Sequence, residues 1–227
     1  MWTSLQGTWC LVLGASSGMG LATAQMLARA GVNVVGVHFD MAEAAEKVQV
    51  AVEELRAEGV QAHYFNVNAA STQTRATLIP KIRQLTGGAG VHVLLHSLAF
   101  GTLLPFVRWA DEPVINQRQL DMTLNVMAHS LVYWTQDLHA AGLLPEGAKV
   151  FAMTSDGNRR VTRHYGAVSA AKSALEAHVR QLAVELAPSG VAVNAIRAGS
   201  PSRRRWRRSP TATTCSAGRP NAILTAG

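Results

Sequence analysis

The chain has 227 residues, of which 48% are hydrophobic, and this is enough for one domain with a large buried core. Its formal net charge of +7 is concentrated at one end: residues 200–227 hold six arginines and no acid, which leaves 15 basic against 14 acidic residues in 1–199. A body of almost zero net charge makes nucleic acid an unexpected partner. The two cysteines form no CxxC pair, and no apolar run approaches the roughly 20 residues of a membrane span, so we expect a soluble, cytoplasmic protein without disulfides.

Short apolar runs alternate with longer segments of helical periodicity from residue 9 to residue 196. Strands are predicted at residues 9–13, 32–37, 61–65, 91–96, 149–154 and 191–196. Helices are predicted at residues 19–30, 42–58, 71–85, 117–141 and 165–186. Because parallel strands require crossover connections, this alternation predicts an α/β fold: a doubly wound parallel sheet of Rossmann-like, three-layer αβα architecture.

A glycine-rich turn joins the first predicted strand to the first predicted helix. Gly14 allows a tight turn, Gly18 lets the backbone approach a pyrophosphate, and Gly20 lets the helix pack closely on the strand. The helix N-terminus adds free N–H groups and a partial positive charge. The residues expected to hold the phosphates of a dinucleotide are Gly14, Ser16, Ser17, Gly18, Met19 and Gly20.

An acid follows the second predicted strand. Asp40 stands two residues after His38. An acid near this strand end binds the ribose hydroxyls of NAD, whereas NADP carries a phosphate there, so Asp40 favours NAD over NADP. The alternative is that Asp40 caps the next helix.

Tyr165 and Lys172 stand seven residues apart at the head of the last predicted helix. Seven residues are almost two helical turns, so both side chains are expected on one stripe of that helix. A phenol held near a fixed ammonium can donate a proton at neutral pH, because the positive charge favours the phenolate.

The glycine turn and the Tyr165–Lys172 pair together resemble the short-chain dehydrogenase/reductase family. Many members space the tyrosine and lysine by four, but the residue four before Lys172 is Val168, which has no proton to donate. A spacing of seven resembles the enoyl-acyl-carrier-protein reductase branch. The resemblance implies that NAD(P)H reduces an enoyl thioester, a small-molecule or carrier-protein-bound acyl substrate of fatty acid synthesis. It also implies that Tyr165 donates a proton or stabilises an enolate, and that Lys172 binds the nicotinamide ribose.

Further segments match the same branch. Residues 96–100 read His-Ser-Leu-Ala-Phe, close to the segment that enoyl reductases carry after the fourth strand. Asn125 lies where many members keep an asparagine that bends the helix and holds a water, although a structural role is equally open. No catalytic role is assigned to His96, and no metal-binding set surrounds it. The resemblance implies further cofactor contacts from Asn66, Val67, Ser97, Leu98 and Ala99.

Ser155 departs from the enoyl reductase pattern. Many enoyl reductases have a second tyrosine ten residues before the catalytic one, where this chain has Ser155. A serine there would hydrogen-bond a carbonyl oxygen in a ketone or 3-oxoacyl reductase, so carbonyl reduction is an alternative. A third alternative is an inactive cofactor-binding relic. The resemblance also implies that helices 117–141 and 165–186 pair across a two-fold axis, giving a homodimer or homotetramer.

The resemblance stops near residue 199, which divides the chain into an NAD(P)-binding body, residues 1–199, and a basic tail, residues 200–227. The tail is rich in Arg, Ser, Pro, Thr and Ala, and the family's last strand is not visible in it. We interpret the tail as a frameshift product, since GC-rich coding DNA has this composition out of frame. A basic arm that binds phosphates, with Trp206 stacking on bases, is the competing interpretation.

Overall fold

The computed structural model describes residues 5–108 and 111–198, and within them six parallel strands form one sheet. The strands are β1 (Trp9–Leu13), β2 (Asn33–His38), β3 (Ala62–Asn66), β4 (Val93–His96), β5 (Lys149–Ser155) and β6 (Ala192–Ala198). Their order across the sheet is β3-β2-β1-β4-β5-β6, and every neighbouring pair is parallel. This confirms the doubly wound α/β fold predicted from the sequence.

Helices cover both faces of the sheet. They are α1 (Gly18–Arg29), α2 (Ala45–Ala57), α3 (Thr72–Leu85), α4 (Gln117–Leu124), α5 (Ser130–Ala140) and α6 (Gly166–Leu186). Successive side chains of β1 point to opposite faces. Leu11 and Leu13 pack with α3, α5 and α6, whereas Cys10 and Val12 pack with α1 and α2. Cys10 is fully buried, and this burial raises the pKa of its thiol to about 12.

The helix predicted at residues 117–141 is divided. A π-helical segment, Asn125–His129, separates α4 from α5. The hydroxyl of Ser130 donates to the carbonyl of Val126, four residues earlier, with an oxygen–oxygen distance of 2.8 Å. The prediction of one continuous α-helix is wrong at this point, because hydrophobic periodicity alone does not register a single extra residue in a turn.

The last helix also begins later than predicted. Tyr165 has ψ of 2° and is the N-cap of α6, and the preceding His164 has a positive φ of 63°. Tyr165 therefore lies one residue before the first residue of α6, and its carbonyl accepts from the N–H of Ser169 at 2.8 Å. That Tyr165 and Lys172 lie on one helical stripe stays a prediction. The predicted helix 42–58 likewise begins with a 3₁₀ turn, Ala42–Ala44, before α2.

Within the described residues, none of the helices is both long and apolar enough to span a membrane. Residues 199–227 fall outside the described part of the chain. The proposed boundary at residue 199, the frameshift hypothesis and the basic arm therefore stay predictions.

Candidate active site

The carboxyl ends of β1, β4 and β5 meet at one edge of the sheet. Strand order reverses between β1 and β4, since the chain runs outward from β1 to β3 and then returns to continue from β4 to β6. In doubly wound sheets, ligands bind in the crevice at this switch point. The glycine turn follows β1, residues 97–99 follow β4, and Ser155 ends β5.

Gly14 and Gly20 hold the turn after β1 tightly against its neighbours. Gly14 has φ of 90°, and a Cβ on it would lie 2.6 Å from the carbonyl oxygen of Ser97. A Cβ on Gly20 would lie 1.9 Å from the carbonyl oxygen of Gly14. Both distances are shorter than any ordinary carbon–oxygen contact, so only glycine fits at these two positions. The structure thus places residues 14, 20 and 97 in direct contact.

The N-terminus of α1 has the features of an anion site. Gly18 begins α1 with φ of 56°, and a Cβ on it would meet no described atom within 4 Å. The N-cap residue Ser17 makes no side-chain capping bond within the described structure, and the first turn carries no acid. Ser16 is half-buried and Met19 is exposed beside this open end. Free N–H groups and the helix dipole therefore face open space, and this arrangement fits a pyrophosphate.

The ends of β2 and β3 are joined around Asp40. The carboxylate of Asp40 lies 2.8 Å from Nδ1 of the buried His38. The side-chain amide of Asn66 accepts from the backbone N–H of Asp40 and donates to its carbonyl, each at 3.0 Å. Asp40 does not cap the following 3₁₀ turn, whose N-cap is Met41. Val67 lies beside this pair, and its N–H donates to the carbonyl of His38 at 2.7 Å.

The sequence interpretation missed the part of His38 in this group. A histidine two residues before an acid at a strand end was the available signal. Because alternate residues of an extended segment lie on one side, His38 and Asp40 can meet there. The two hydrogen bonds from Asn66 hold the Asp40 backbone in place, and this fixes the position from which its carboxylate extends at the sheet edge.

Ser155 and Tyr165 are brought together beyond β5. Their hydroxyl oxygens lie 3.5 Å apart. A Cβ on Gly157 would lie 2.3 Å from Cε1 of the Tyr165 ring, so the chain between them passes close under the ring. Two hydroxyls at this separation can both reach one oxygen atom of a substrate.

Lys172 extends from α6 into the sheet edge. Its Nζ donates to the carbonyl of Met153 at 2.7 Å and is 3.5 Å from the carbonyl of Leu98. Lys172 is only 5% exposed, and this burial lowers the pKa of its amine to about 8. The two carbonyls come from β5 and from the segment after β4, so Lys172 links both walls of the crevice. Neither carbonyl was foreseen, because a backbone group leaves no trace in the residue pattern.

Val168 cannot take part in proton transfer. It is buried with Met127 and Ala171 between the π segment and α6.

Asn125 begins the π segment and is half-buried. Ala99, after β4, is exposed at the crevice. No group of three or more histidine, cysteine, aspartate or glutamate side chains suited to a metal occurs in the described ranges.

The family described as Enoyl-(Acyl carrier protein) reductase matches residues 14–213, most of the chain. The chain belongs to the short-chain dehydrogenase/reductase family. The members of this family are NAD(P)-dependent oxidoreductases. In this chain, the glycine turn, Tyr165 and Lys172 are the features that resemble the family.

Individual short-chain dehydrogenase/reductase proteins show a range of activities. The chain is 30% identical over 189 residues to 1-cyclohexenylcarbonyl-CoA reductase of Streptomyces collinus, covering 83% of this chain and 63% of that relative. It is 30% identical over 197 residues to the 3-oxoacyl-(acyl-carrier-protein) reductase of Pseudomonas aeruginosa, covering 86% of this chain and 74% of that relative. A short-chain dehydrogenase of Burkholderia cenocepacia, solved with NADP, has a TM-score of 0.74 at 28% identity, covering 87% of this chain and 76% of the other.

Proposed function

We propose that the protein reduces the carbon–carbon double bond of an α,β-unsaturated acyl thioester. The observation that carries this proposal is the arrangement around Lys172. Tyr165, seven residues before it, reaches the sheet edge, whereas Val168, four residues before it, is buried and apolar. The match to the enoyl reductase family and the likeness to a cyclohexenylcarbonyl-CoA reductase support the same activity.

The residues present fit a nicotinamide dinucleotide. The open N-terminus of α1 would hold its pyrophosphate, Asp40 its adenosine ribose, and Lys172 its nicotinamide ribose. When bound, this cofactor supplies the hydride for the β-carbon of the substrate. Since a carboxylate at this strand end would repel a 2′-phosphate, we propose NAD as the preferred form.

The side chains act on the thioester carbonyl of the substrate. Negative charge collects on that oxygen during reduction, and a hydroxyl aimed at it stabilises the charge. Tyr165 supplies this hydroxyl and donates the proton. The buried ammonium of Lys172 adds positive charge in a region of low dielectric, where its effect is larger than in water. Both groups are fixed by the fold, which lowers the entropy cost of reaching the reactive geometry.

Reduction of a ketone, as in a 3-oxoacyl thioester, is the second candidate. The observation that favours it is the 3.5 Å distance between the hydroxyl oxygens of Ser155 and Tyr165. Two hydroxyls on one carbonyl oxygen suit a reaction in which that oxygen becomes an alkoxide. The relative from Pseudomonas aeruginosa is named for this type of reaction.

An assay with two thioesters distinguishes these candidates. Crotonyl-CoA and acetoacetyl-CoA are offered with NADH or NADPH, and the nicotinamide absorbance is followed. Our proposal expects turnover of crotonyl-CoA, with Ser155→Ala close to wild type and Tyr165→Phe strongly impaired. Turnover of acetoacetyl-CoA alone, abolished by Ser155→Ala, would establish ketone reduction instead. Binding of NADH without turnover of either thioester would indicate a cofactor-binding relic.

We propose further that a second copy of the chain pairs with the face formed by α4, α5 and α6. The resemblance to the family supports this pairing, and the exposed Val184 on α6 is a position at which it can be tested. Light scattering of the purified protein is expected to give twice or four times the monomer mass. Val184→Glu should shift that mass towards the monomer, and a monomeric wild type would refute the pairing.

A further inference from the structure

His96 is a fully buried histidine that the proposed reaction does not use. It ends β4, and its Nε2 lies 2.8 Å from the hydroxyl oxygen of Ser130 at the start of α5. Its other ring nitrogen, Nδ1, is also buried and has no hydrogen-bond partner within the described residues. A buried polar atom without a partner is rare, because leaving it unpaired is costly.

The hydrogen bonds of Ser130 determine the tautomer of His96. Ser130 has a single hydroxyl hydrogen, and it donates this hydrogen to the carbonyl of Val126 at 2.8 Å. The same oxygen can therefore only accept from His96, so Nε2 carries the ring hydrogen. Burial, and then the positive charge of Lys172, lower the pKa of His96 to about 3, so the ring is neutral. Nδ1 is consequently a bare acceptor.

The other end of this chain of bonds is the π segment. Val126 belongs to the segment Asn125–His129, in which the regular α-helical hydrogen bonds are interrupted. The side-chain bond from Ser130 supplies Val126 with a donor. His96 therefore supports, through Ser130, the turn that begins with the candidate site residue Asn125.

Lys172 lies at the same junction. One carbonyl that accepts from it belongs to Leu98, two residues after His96, and the other belongs to Met153, next to the strand partner of His96, Ala152. An ammonium has three N–H groups, and only the one directed at the carbonyl of Met153 makes a short bond, since the carbonyl of Leu98 lies at 3.5 Å. One of the other two can bind the nicotinamide ribose, and the remaining one is the nearest chemical complement to the bare nitrogen of a neutral imidazole.

We propose that His96 and Ser130 are positioning residues of the active site: Ser130 fixes the ring, and Nδ1 of His96 accepts, through one water, from an N–H of Lys172. The pair thereby holds the π segment with Asn125 on one side and the Lys172 amine on the other. The effect on catalysis rests on the proposed function, whereas the effect on the Lys172 amine and on the π segment does not.

The first test measures the Lys172 amine without any enzymatic assay. Acetic anhydride labelling of Lys172, followed by mass spectrometry from pH 6 to pH 11, gives the midpoint of its titration. His96→Leu removes the acceptor and leaves an apolar wall, so the midpoint should fall by at least about half a pH unit. The variant retains the charged and titratable side chains near Lys172 on the neighbouring elements, among them Tyr165, Glu176 and Arg197, so they do not account for a change in the midpoint.

The second test separates positioning from general stability. Thr135 is a matched control for Ser130, since its buried hydroxyl donates to the carbonyl of Leu131 at 2.7 Å on the same helix. Ser130→Ala should speed hydrogen exchange of residues 125–130 at least about tenfold, whereas Thr135→Ala should leave it near wild type. If the protein proves active, Ser130→Ala should lower kcat about tenfold with little change in KM, and Thr135→Ala should leave both unchanged.

An unchanged labelling midpoint in His96→Leu, together with equal exchange in Ser130→Ala and Thr135→Ala, would overturn the inference. Should His96→Leu fail to fold, the labelling midpoint is measured in Ser130→Ala, whose ring has lost its fixed tautomer, and an unchanged midpoint there counts against the inference equally. Failure of both thioester assays bears only on the proposed function.

Discussion

The contact between Gly20 and Gly14 gives the sharpest stability prediction. In Gly20→Ala, the new Cβ must move from 1.9 Å to at least 3.0 Å from the Gly14 carbonyl oxygen. Both atoms are fixed to the backbone, so no change of rotamer relieves the clash, and the start of α1 must shift away from β1.

The expected cost follows from two opposing effects. Alanine is favoured over glycine within a helix by about 1 kcal/mol. Overpacking against a rigid neighbour costs about 3 kcal/mol at the upper end of the usual range. We therefore expect Gly20→Ala to lower the free energy of unfolding by about 2 kcal/mol or more, and to weaken NADH binding because the turn is displaced.

Two other glycines serve as controls. Gly18 and Gly59 have φ of 56° and 83°, and a Cβ on either meets no described atom within 4 Å. Alanine at each should cost only the backbone strain of about 1–2 kcal/mol. Urea unfolding followed by circular dichroism measures stability, and NADH fluorescence measures binding. Gly18→Ala should weaken binding, and Gly59→Ala should not. A Gly20→Ala protein more stable than Gly59→Ala would refute the packing argument.

Three further predictions concern the site. The pKa of Lys172 falls on folding from 10.5 to about 8, so between these pH values the folded protein holds fewer protons than the unfolded chain and its stability rises with pH. Lys172→Met should remove a rise of about 3 kcal/mol in the free energy of unfolding between pH 7.5 and pH 10.5, measured by urea unfolding of wild type and variant at both pH values. If the stabilities of wild type and variant change in parallel with pH, this prediction is wrong. Tyr165→Phe should lower kcat at least about 100-fold in the thioester assay, with Tyr133→Phe as an unimpaired control, because general acid catalysis contributes this much. Asp40→Asn should reduce the preference for NADH over NADPH about tenfold in kcat/KM, since it removes a negative charge near a phosphate, and an unchanged ratio would exclude Asp40 from selectivity.

The fold could be predicted from the sequence because the patterns that indicate it are local and repeated. Each buried parallel strand, such as β1 or β4, is a short run of apolar residues, and crossover helices then dictate a doubly wound sheet. Helix ends were less accessible. The start of α6 depends on the positive φ of His164, and no residue pattern marks such a backbone angle reliably.

The site was accessible only in part. Glycine spacing located the turn after β1, and the spacing of Tyr165 and Lys172 located the two polar groups now found at one sheet edge. The contacts that depend on tertiary structure were not visible: the His38 bond to Asp40, and the Ser130 bond to His96. Each joins side chains through geometry that spacing along the chain does not encode.

The burial of Cys10 under α1 and α2 makes its thiol a probe of structural opening. β1 lies between β2 and β4, so an alkylating reagent in solution reaches this sulfur only after the covering helices or the neighbouring strands have moved away. The labelling rate of the β1 peptide, divided by that of an unstructured cysteine peptide, therefore gives the fraction of time the molecule spends open. This measurement needs no denaturant, no substrate and no assumption about which thioester the protein reduces.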